Sequence, residues 1–399
     1  MIDKRLPPLL VAVFVNIAGF SLILPLLPFY GQVFGANPFE IALLFAAYSL
    51  GNVFGEIHWG RQSDVWGRRK VLVVTTFFAA LSYVAFAFAP SLWIAVAIRV
   101  VSGFFSGTLS TAQGFIADVS VPERRAKTMG YFGAAFSLGF AFGPVLGGLF
   151  AGEEAVAASF RAPILIAGAL SLLASLWCLA VLRDAVPPGG KEAPLPRYGE
   201  AVAFVRSQPL LLRLFVISFF GIALFASMEA IYGLWSEANF GWSAQDLGFA
   251  FLAIGGGGLF AQLFLIGPLA ARYGEARVIV MGLVLLALSM LLQPIIRLPV
   301  SGVLLMGLLM TGHSLAFPSA GALLSRNVPP DRQGSTMGLL MASNAVGRIV
   351  APPLFGLVYD HAGHDAPWYV GAALIGLVVL VALQAVRLSP HRRAASALP

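Results

Sequence analysis

The segment Pro122-Glu-Arg-Arg-Ala-Lys-Thr-Met-Gly130 returns 208 residues later as Pro330-Asp-Arg-Gln-Gly-Ser-Thr-Met-Gly338. The same offset carries Pro144 and Gly148 onto Pro352 and Gly356, and an offset of 207 carries Gly60 and Gly67 onto Gly267 and Gly274. Self-similarity at one long period marks a duplicated structural unit. The chain therefore reads as two copies of one unit of about half its length.

The residues between these landmarks say what the unit is made of. Hydrophobic side chains make up 59% of the 399 residues and charged ones 11%, and the mean hydropathy is +0.86. Soluble domains hold about 25% charged residues, so a soluble domain, a disordered chain and a nucleic-acid-binding chain are all excluded. Twelve apolar runs lie near 8–30, 39–59, 70–90, 92–117, 126–150, 161–182, 210–236, 245–270, 276–296, 299–325, 334–358 and 367–387. Each has about the 20 residues that a membrane helix needs, and each is too long and too continuously apolar for a barrel strand. The expected fold is an all-α membrane protein of twelve transmembrane helices in two six-helix bundles, with domains at 1–182 and 210–399 and a linker at 183–209. That linker holds Pro187, Pro188, Gly189 and Gly190. Of 25 Lys and Arg residues, 21 fall at the termini and in alternate loops that share one side. The positive-inside rule then places both termini in the cytoplasm. No signal peptide is evident, and the single Cys178 excludes disulfides and cysteine metal sites.

Ionisable side chains inside the runs are few: Glu56 and His58 in helix 2, Arg99 in helix 4, Glu229 in helix 7, His313 in helix 10 and Arg348 in helix 11. Charge within a bilayer faces a bundle interior or a wet cavity. Helices 3, 6, 9 and 12 lack such groups, tyrosines and Cys178 aside, and are expected at the periphery. The others are expected to line a cavity between the halves.

Three motifs carry a resemblance. They are Gly60-Arg-Gln-Ser-Asp64-Val-Trp-Gly67-Arg68-Arg69-Lys70, Arg99-Val-Val-Ser-Gly103, and Gly139-Phe-Ala-Phe-Gly143-Pro144-Val-Leu-Gly147-Gly148. Pro25-Leu-Leu-Pro28 and Ser227-Met-Glu229 add to them. Over essentially the whole chain the sequence resembles the major facilitator superfamily, in its twelve-helix drug/proton antiporter branch of tetracycline-type and multidrug exporters. The resemblance implies two pseudo-symmetric bundles, transport by alternating access, and a cytoplasmic gate at loop 2–3. In that gate Asp64 would pair with Arg68 and with Asp118 at the end of helix 4, and Arg69 would anchor the same face. The alternative is a purely topogenic loop. Val65 departs from the family's usual arginine, and the second copy has Ala271 in place of the acid and Glu275 in place of Arg68, so its lock should be weaker or different. Gly139, Gly143 and Gly147 share one helix face and suit close helix packing, with Gly148 beside them and Pro144 permitting a kink. The resemblance implies a role in antiport.

The remaining candidates are single residues. Glu229 and Arg348 lie at similar depth by helix geometry, each 16 residues (about 24 Å) beyond a cytoplasmic arginine. They read as a proton site with its modulator, or as a structural ion pair. Arg99 either holds an anion or tunes a carboxylate, or else caps neighbouring carbonyls. Glu56 is a second proton candidate or a solvated interfacial carboxylate. Asn16, Phe20, Phe136, Tyr232, His313 and Asn344 are candidate cavity residues, with Trp235 beside them; packing is the plainer role of the aromatics. Gly255–Gly258 marks a flexible or close-contact point in helix 8. His361, Asp360, His364 and Asp365 form an outer-loop cluster with at most an incidental affinity for metal. The expected function is proton-coupled export of small amphiphilic compounds; the alternative is a transporter of a metabolite, sugar or lipid. No enzyme activity, cofactor or nucleic-acid partner is expected. The proton gradient supplies the energy, and the protein is expected to act as a monomer in a bacterial inner membrane.

Overall fold

The computed structural model describes residues 5–120, 122–151, 157–183, 198–329 and 332–388, which are helical with no strand among them. Twelve helices, some interrupted, are long and apolar enough to cross a membrane. The first crossing is α1 (Leu6–Leu22) and α2 (Leu27–Val33) joined by a 3-10 turn at Leu24–Leu26; α3 (Pro38–Trp66) and α4 (Arg68–Ala87) follow. The fourth crossing is split into α5 (Leu92–Phe104) and α6 (Thr108–Val119), and α7 (Pro122–Phe150) and α8 (Ala157–Val181) complete the first six. A short α9 (Tyr198–Ser207) leads to α10 (Pro209–Phe240), and a π turn at Ala261–Leu265 joins α11 (Ala244–Phe260) to α12 (Ile266–Tyr273). Last come α13 (Glu275–Leu292), α14 (Pro299–Arg326), α15 (Gln333–Ala362) and α16 (Ala366–Leu388).

The crossings agree with the apolar runs to within a few residues, with three local differences. The first crossing is interrupted where Pro25 and Pro28 each lack the N–H of a helical bond. The fourth is interrupted at Phe105–Gly107, where Ser106 Oγ bonds to Gly103 O at 2.5 Å. Helix α3 continues through the polar segment to Trp66, so loop 2–3 shrinks to Gly67, whose φ of 93° no other residue type adopts easily. Gly274, its repeat copy, has φ 79°. Gly60 is helical, so the turn needs only one of the two bracketing glycines. Of the expected linker 183–209, residues 184–197 lie outside the described residues, as do Pro330 and Asp331 of the repeat. Helix α9 occupies the linker's end and packs on α10 and α15.

The chain forms two compact units, Met1–Pro194 with Gly241–Leu252, and Leu195–Phe240 with Ala253–Pro399. In the first, α1 packs on α7 and α8, α3 on α5, and α4 on α8. In the second, α10 packs on α15 and α16, and α13 on α14 and α16. Helices 1, 3, 5 and 6 of one unit thus pair as helices 7, 9, 11 and 12 do in the other.

Glycine sets the closest packing in the first unit. A Cβ on Gly143 would overlap Ser21 Oγ and Ala18 O and sit 2.8 Å from Leu22 N; on Gly139 it would sit 2.7 Å from Phe14 O. Gly147 faces Leu22 O in the same way, so the three glycines of the motif form the seat of α1 on α7. Ser21 closes the contact by donating to Gly139 O at 3.0 Å. Gly148 meets the start of α11, where a Cβ would lie 3.0 Å from Gly248 Cα. Gly51, Gly55 and Gly103 do the same work between α3 and α5.

Gly143→Val is expected to abolish recovery of folded protein, because backbone atoms on α1 have nowhere to go. Gly130→Ala, which meets nothing within 4 Å, should stay within about 0.5 kcal/mol of the parent. Melting of the detergent-purified variants separates them. A Gly143→Val protein that melts with the parent would show that the α1–α7 seat does not hold the unit together.

Candidate functional site

A polar cluster of the first unit is built on one stripe of α3. Asn52, Glu56, Trp59 and Ser63 follow one another at spacings of four, three and four residues, so they share a helix face. That face meets the interrupted fourth crossing. Asn52 Nδ2 donates to Ser106 Oγ at 2.6 Å, and Trp59 Nε1 donates to Phe104 O at 2.9 Å, so the break is tied to α3 within it and just before it. Glu56 Oε2 accepts from Ser110 N at 3.0 Å. Ser110 lies in the first turn of α6, whose unpaired N–H groups carry partial positive charge. Glu56 thus caps a half-helix from a neighbouring element, and its Oε1 is buried without a hydrogen-bond partner. It lies 10 residues before Trp66, about 15 Å along the helix. This is deeper than an interfacial carboxylate.

At the other end of α6 sits the charge bridge. Arg68 opens α4. Its NH2 is 2.5 Å from Asp64 Oδ1, its Nε is 3.0 Å from Asp118 Oδ2, and its NH1 donates to Ser63 Oγ at 2.5 Å. One guanidinium therefore ties α3, α4 and α6 together. Gly114, one turn before Asp118, makes room for it: a Cβ there would lie 2.7 Å from Arg68 Cζ. Arg69 donates to Leu179 O at the C-terminal end of α8. Sequence reasoning found Asp64, Arg68 and Asp118 but missed Ser63 and Gly114. The polar stripe continuing to Ser63 was the available signal.

The second unit has the equivalent pair with its charges exchanged. Glu275, at the place of Arg68, is 2.8 Å from Arg326 NH1, and Arg326 stands 208 residues beyond Asp118. The arginine side chain is 72% exposed, against 17% for Arg68. Ala271 removes the third partner.

Arg99 is buried, donates from Nε to Leu44 O at 3.2 Å and lies 4.6 Å over the Tyr48 ring. Tyr48 in turn stacks on Phe20 at 4.8 Å, so two predicted residues meet through one that was not predicted. Asn16 is half-buried, and Phe136 stacks on Phe140 at 6.1 Å against the apolar core. In the second unit Glu229 is half-buried on α10. Tyr232 and Trp235 are fully buried and packed with Trp368, which makes them wall rather than surface. His313 is stacked between Phe225 at 4.1 Å and Phe317 at 4.3 Å. Arg348 is exposed and makes no hydrogen bond or ion pair among the described residues. Gly257 and Gly258 approach α14 closely, with a Cβ on Gly258 lying 2.8 Å from Met310 Cγ. In the outer cluster Asp365 accepts from Trp235 Nε1 at 2.9 Å and pairs with Arg297 at 2.5 Å. Among the described residues no group of three His, Cys, Asp or Glu side chains could hold a metal.

Twelve apolar helices in two like-folded units, with few charged side chains inside the spans, define a membrane transporter rather than an enzyme. The chain belongs to the Major Facilitator Superfamily, whose pattern matches residues 9–256 and 225–398, and it falls in the drug/proton antiporter branch. It is 28% identical over 393 residues to the class B tetracycline resistance protein of Escherichia coli, covering 94% of each chain. It is 30% identical to the class C protein of the same organism over 402 residues, covering 99% of each. With the quinolone resistance protein NorA of Staphylococcus aureus it shares 26% identity, over 95% of this chain and 96% of the relative. The solved structure of the nucleoside transporter NupG superposes with a TM-score of 0.80 at 16% identity, over 96% of this chain and 100% of the other, a likeness of fold alone. The protein is thus a multi-pass inner-membrane transporter of small molecules.

Removing one oxygen charge from each bridge should separate the two units. Asp118→Asn is expected to lower stability by about 1.5–3 kcal/mol, as for a hydrogen bond to a charged group. Glu275→Gln faces an exposed arginine and should cost under about 1 kcal/mol. Melting of the purified variants in nanodiscs checks the order, and a reversed order would refute the ranking by burial.

Proposed function

We propose that this protein is a proton-coupled exporter of small amphiphilic drugs that works by alternating access. The observation that carries this proposal is the near-full-length similarity to tetracycline and quinolone resistance proteins. The acid on α10 and the bridge at Arg68 support it. Glu229 is the principal proton site and Glu56 the second. Arg99 steadies the first unit beside Phe20, where Asn16 offers hydrogen bonds to substrate; His313 and Asn344 offer them in the second. The Asp64–Arg68–Asp118 bridge is the cytoplasmic gate, and breaking it gives the second of two discrete states. The glycine motif of α7, from Gly139 to Gly148, holds α1 against α7 and so keeps the first unit rigid during transport. The bundles are 1–182 and 210–399, the linker is 183–209, and both termini lie in the cytoplasm, the side on which the basic residues collect. The proton gradient drives export without a cofactor. The protein acts as a monomer and binds no nucleic acid.

Everted vesicles with an inward-acidic gradient test the proposal, with dye fluorescence as the readout and tetracycline, norfloxacin and ethidium as probes. At least one probe should collapse the gradient in the parent, and Glu229→Gln should reduce that collapse by at least tenfold. A parent that responds to none of the three would point to the metabolite, sugar or lipid alternative. Undiminished collapse in Glu229→Gln would move the proton site to Glu56.

A further inference from the structure

Helix α15 has two unlike sides. Val346, Val350, Leu354 and Leu357 are exposed and apolar. Their spacings of four, four and three residues make one stripe, the side suited to lipid. Arg348 lies about 165° around the helix from the centre of that stripe, at 100° per residue. It is therefore exposed on the side away from that stripe, where Met341 is also exposed. It stands near the middle of Gln333–Ala362, where a charge costs about 2.5–3.5 kcal/mol unless it is hydrated or paired. Beside it Gly347 seats α15 on α10, a Cβ there lying 3.1 Å from Ala223 Cβ.

A polar atom near Arg348 also lacks a partner. Asn344 is one turn away, and its Oδ1 is buried with no donor among the described residues. Elsewhere in the same unit His313 is clamped by Phe225 and Phe317, and its Nδ1 is buried with no partner among the described residues. A guanidinium with no acceptor among the described residues and an amide one turn away suit an anion. The guanidinium fork matches a carboxylate or an enolate.

We propose that Arg348, with Asn344 one turn away on the same helix, is a recognition site for the acidic group of an amphiphilic substrate. The preferred substrates are thus organic acids and zwitterions rather than pure cations. This rests on the drug-export proposal and assigns Arg348 to substrate rather than to Glu229. The test measures equilibrium binding by tryptophan quenching, on the full chain in nanodiscs, with norfloxacin and its methyl ester as probes. They differ only in the carboxylate.

The parent should bind the acid at least tenfold tighter than the ester. Arg348→Gln should bring the two within about twofold by weakening the acid alone, and Arg348→Lys should restore part of the preference. If Arg348→Gln does not fold, Asn344→Ala should lower the acid preference by twofold to fivefold. Equal binding of acid and ester by the parent overturns the proposal, as does an equal loss for both probes in Arg348→Gln, the mark of a structural arginine. Acid-selective binding without gradient collapse in vesicles would uphold this site and defeat the export proposal.

Discussion

Inside a bilayer a helix gains little by turning apolar side chains toward another helix, because lipid is as apolar as leucine. Cohesion must come from close backbone approach and from hydrogen bonds that water cannot compete for. The first unit is built on that constraint. Gly139, Gly143 and Gly147 let α1 lie against α7, and Gly51, Gly55 and Gly103 let α3 lie against α5. Each contact puts a Cα beside a carbonyl of the neighbouring helix, and no larger residue can do this. The polar groups then act at short range, as Ser21 does on Gly139 O.

Tight packing of α3 on the fourth crossing also makes the break at Phe105–Gly107 tolerable. An unpaired N–H in hydrocarbon costs several kcal/mol, and the break leaves several at the start of α6. Glu56 answers one of them from α3, while Asn52 and Trp59 hold the residues before it. Helix α6 thereby becomes a short rigid rod with a carboxylate at its N-terminal end and the Arg68 bridge at its C-terminal end. An ionisable group in mid-span and a charge network near the helix ends are joined by one element of 12 residues.

The duplicated architecture has not kept its chemistry unchanged. Position by position, Arg68 and Asp118 correspond to Glu275 and Arg326, so the attraction survives while its polarity is reversed. An ion pair constrains only the product of the two charges, so both can be exchanged without loss of the contact. The more exposed, two-member version in the second unit is weaker than the partly buried three-member one because water screens it more.

The sequence by itself determined the number of crossings, the duplication, the glycines that bracket loop 2–3 and recur at 267 and 274, and the glycine face of α7. These are local properties. Some 20 consecutive apolar residues select a spanning helix wherever they occur, and positive φ selects glycine without reference to neighbours. Tertiary structure decided which groups meet. It brought Asp118 to Arg68 from 50 residues away, put Glu56 on the end of α6, walled in Tyr232 and Trp235, and left Arg348 with no ion pair among the described residues, on the side of α15 away from its apolar stripe. None of that was legible in spacing along one helix, because it depends on which helix lies alongside and on how each is rotated about its axis. In a bilayer those rotations follow from small residues and buried hydrogen bonds on two elements at once.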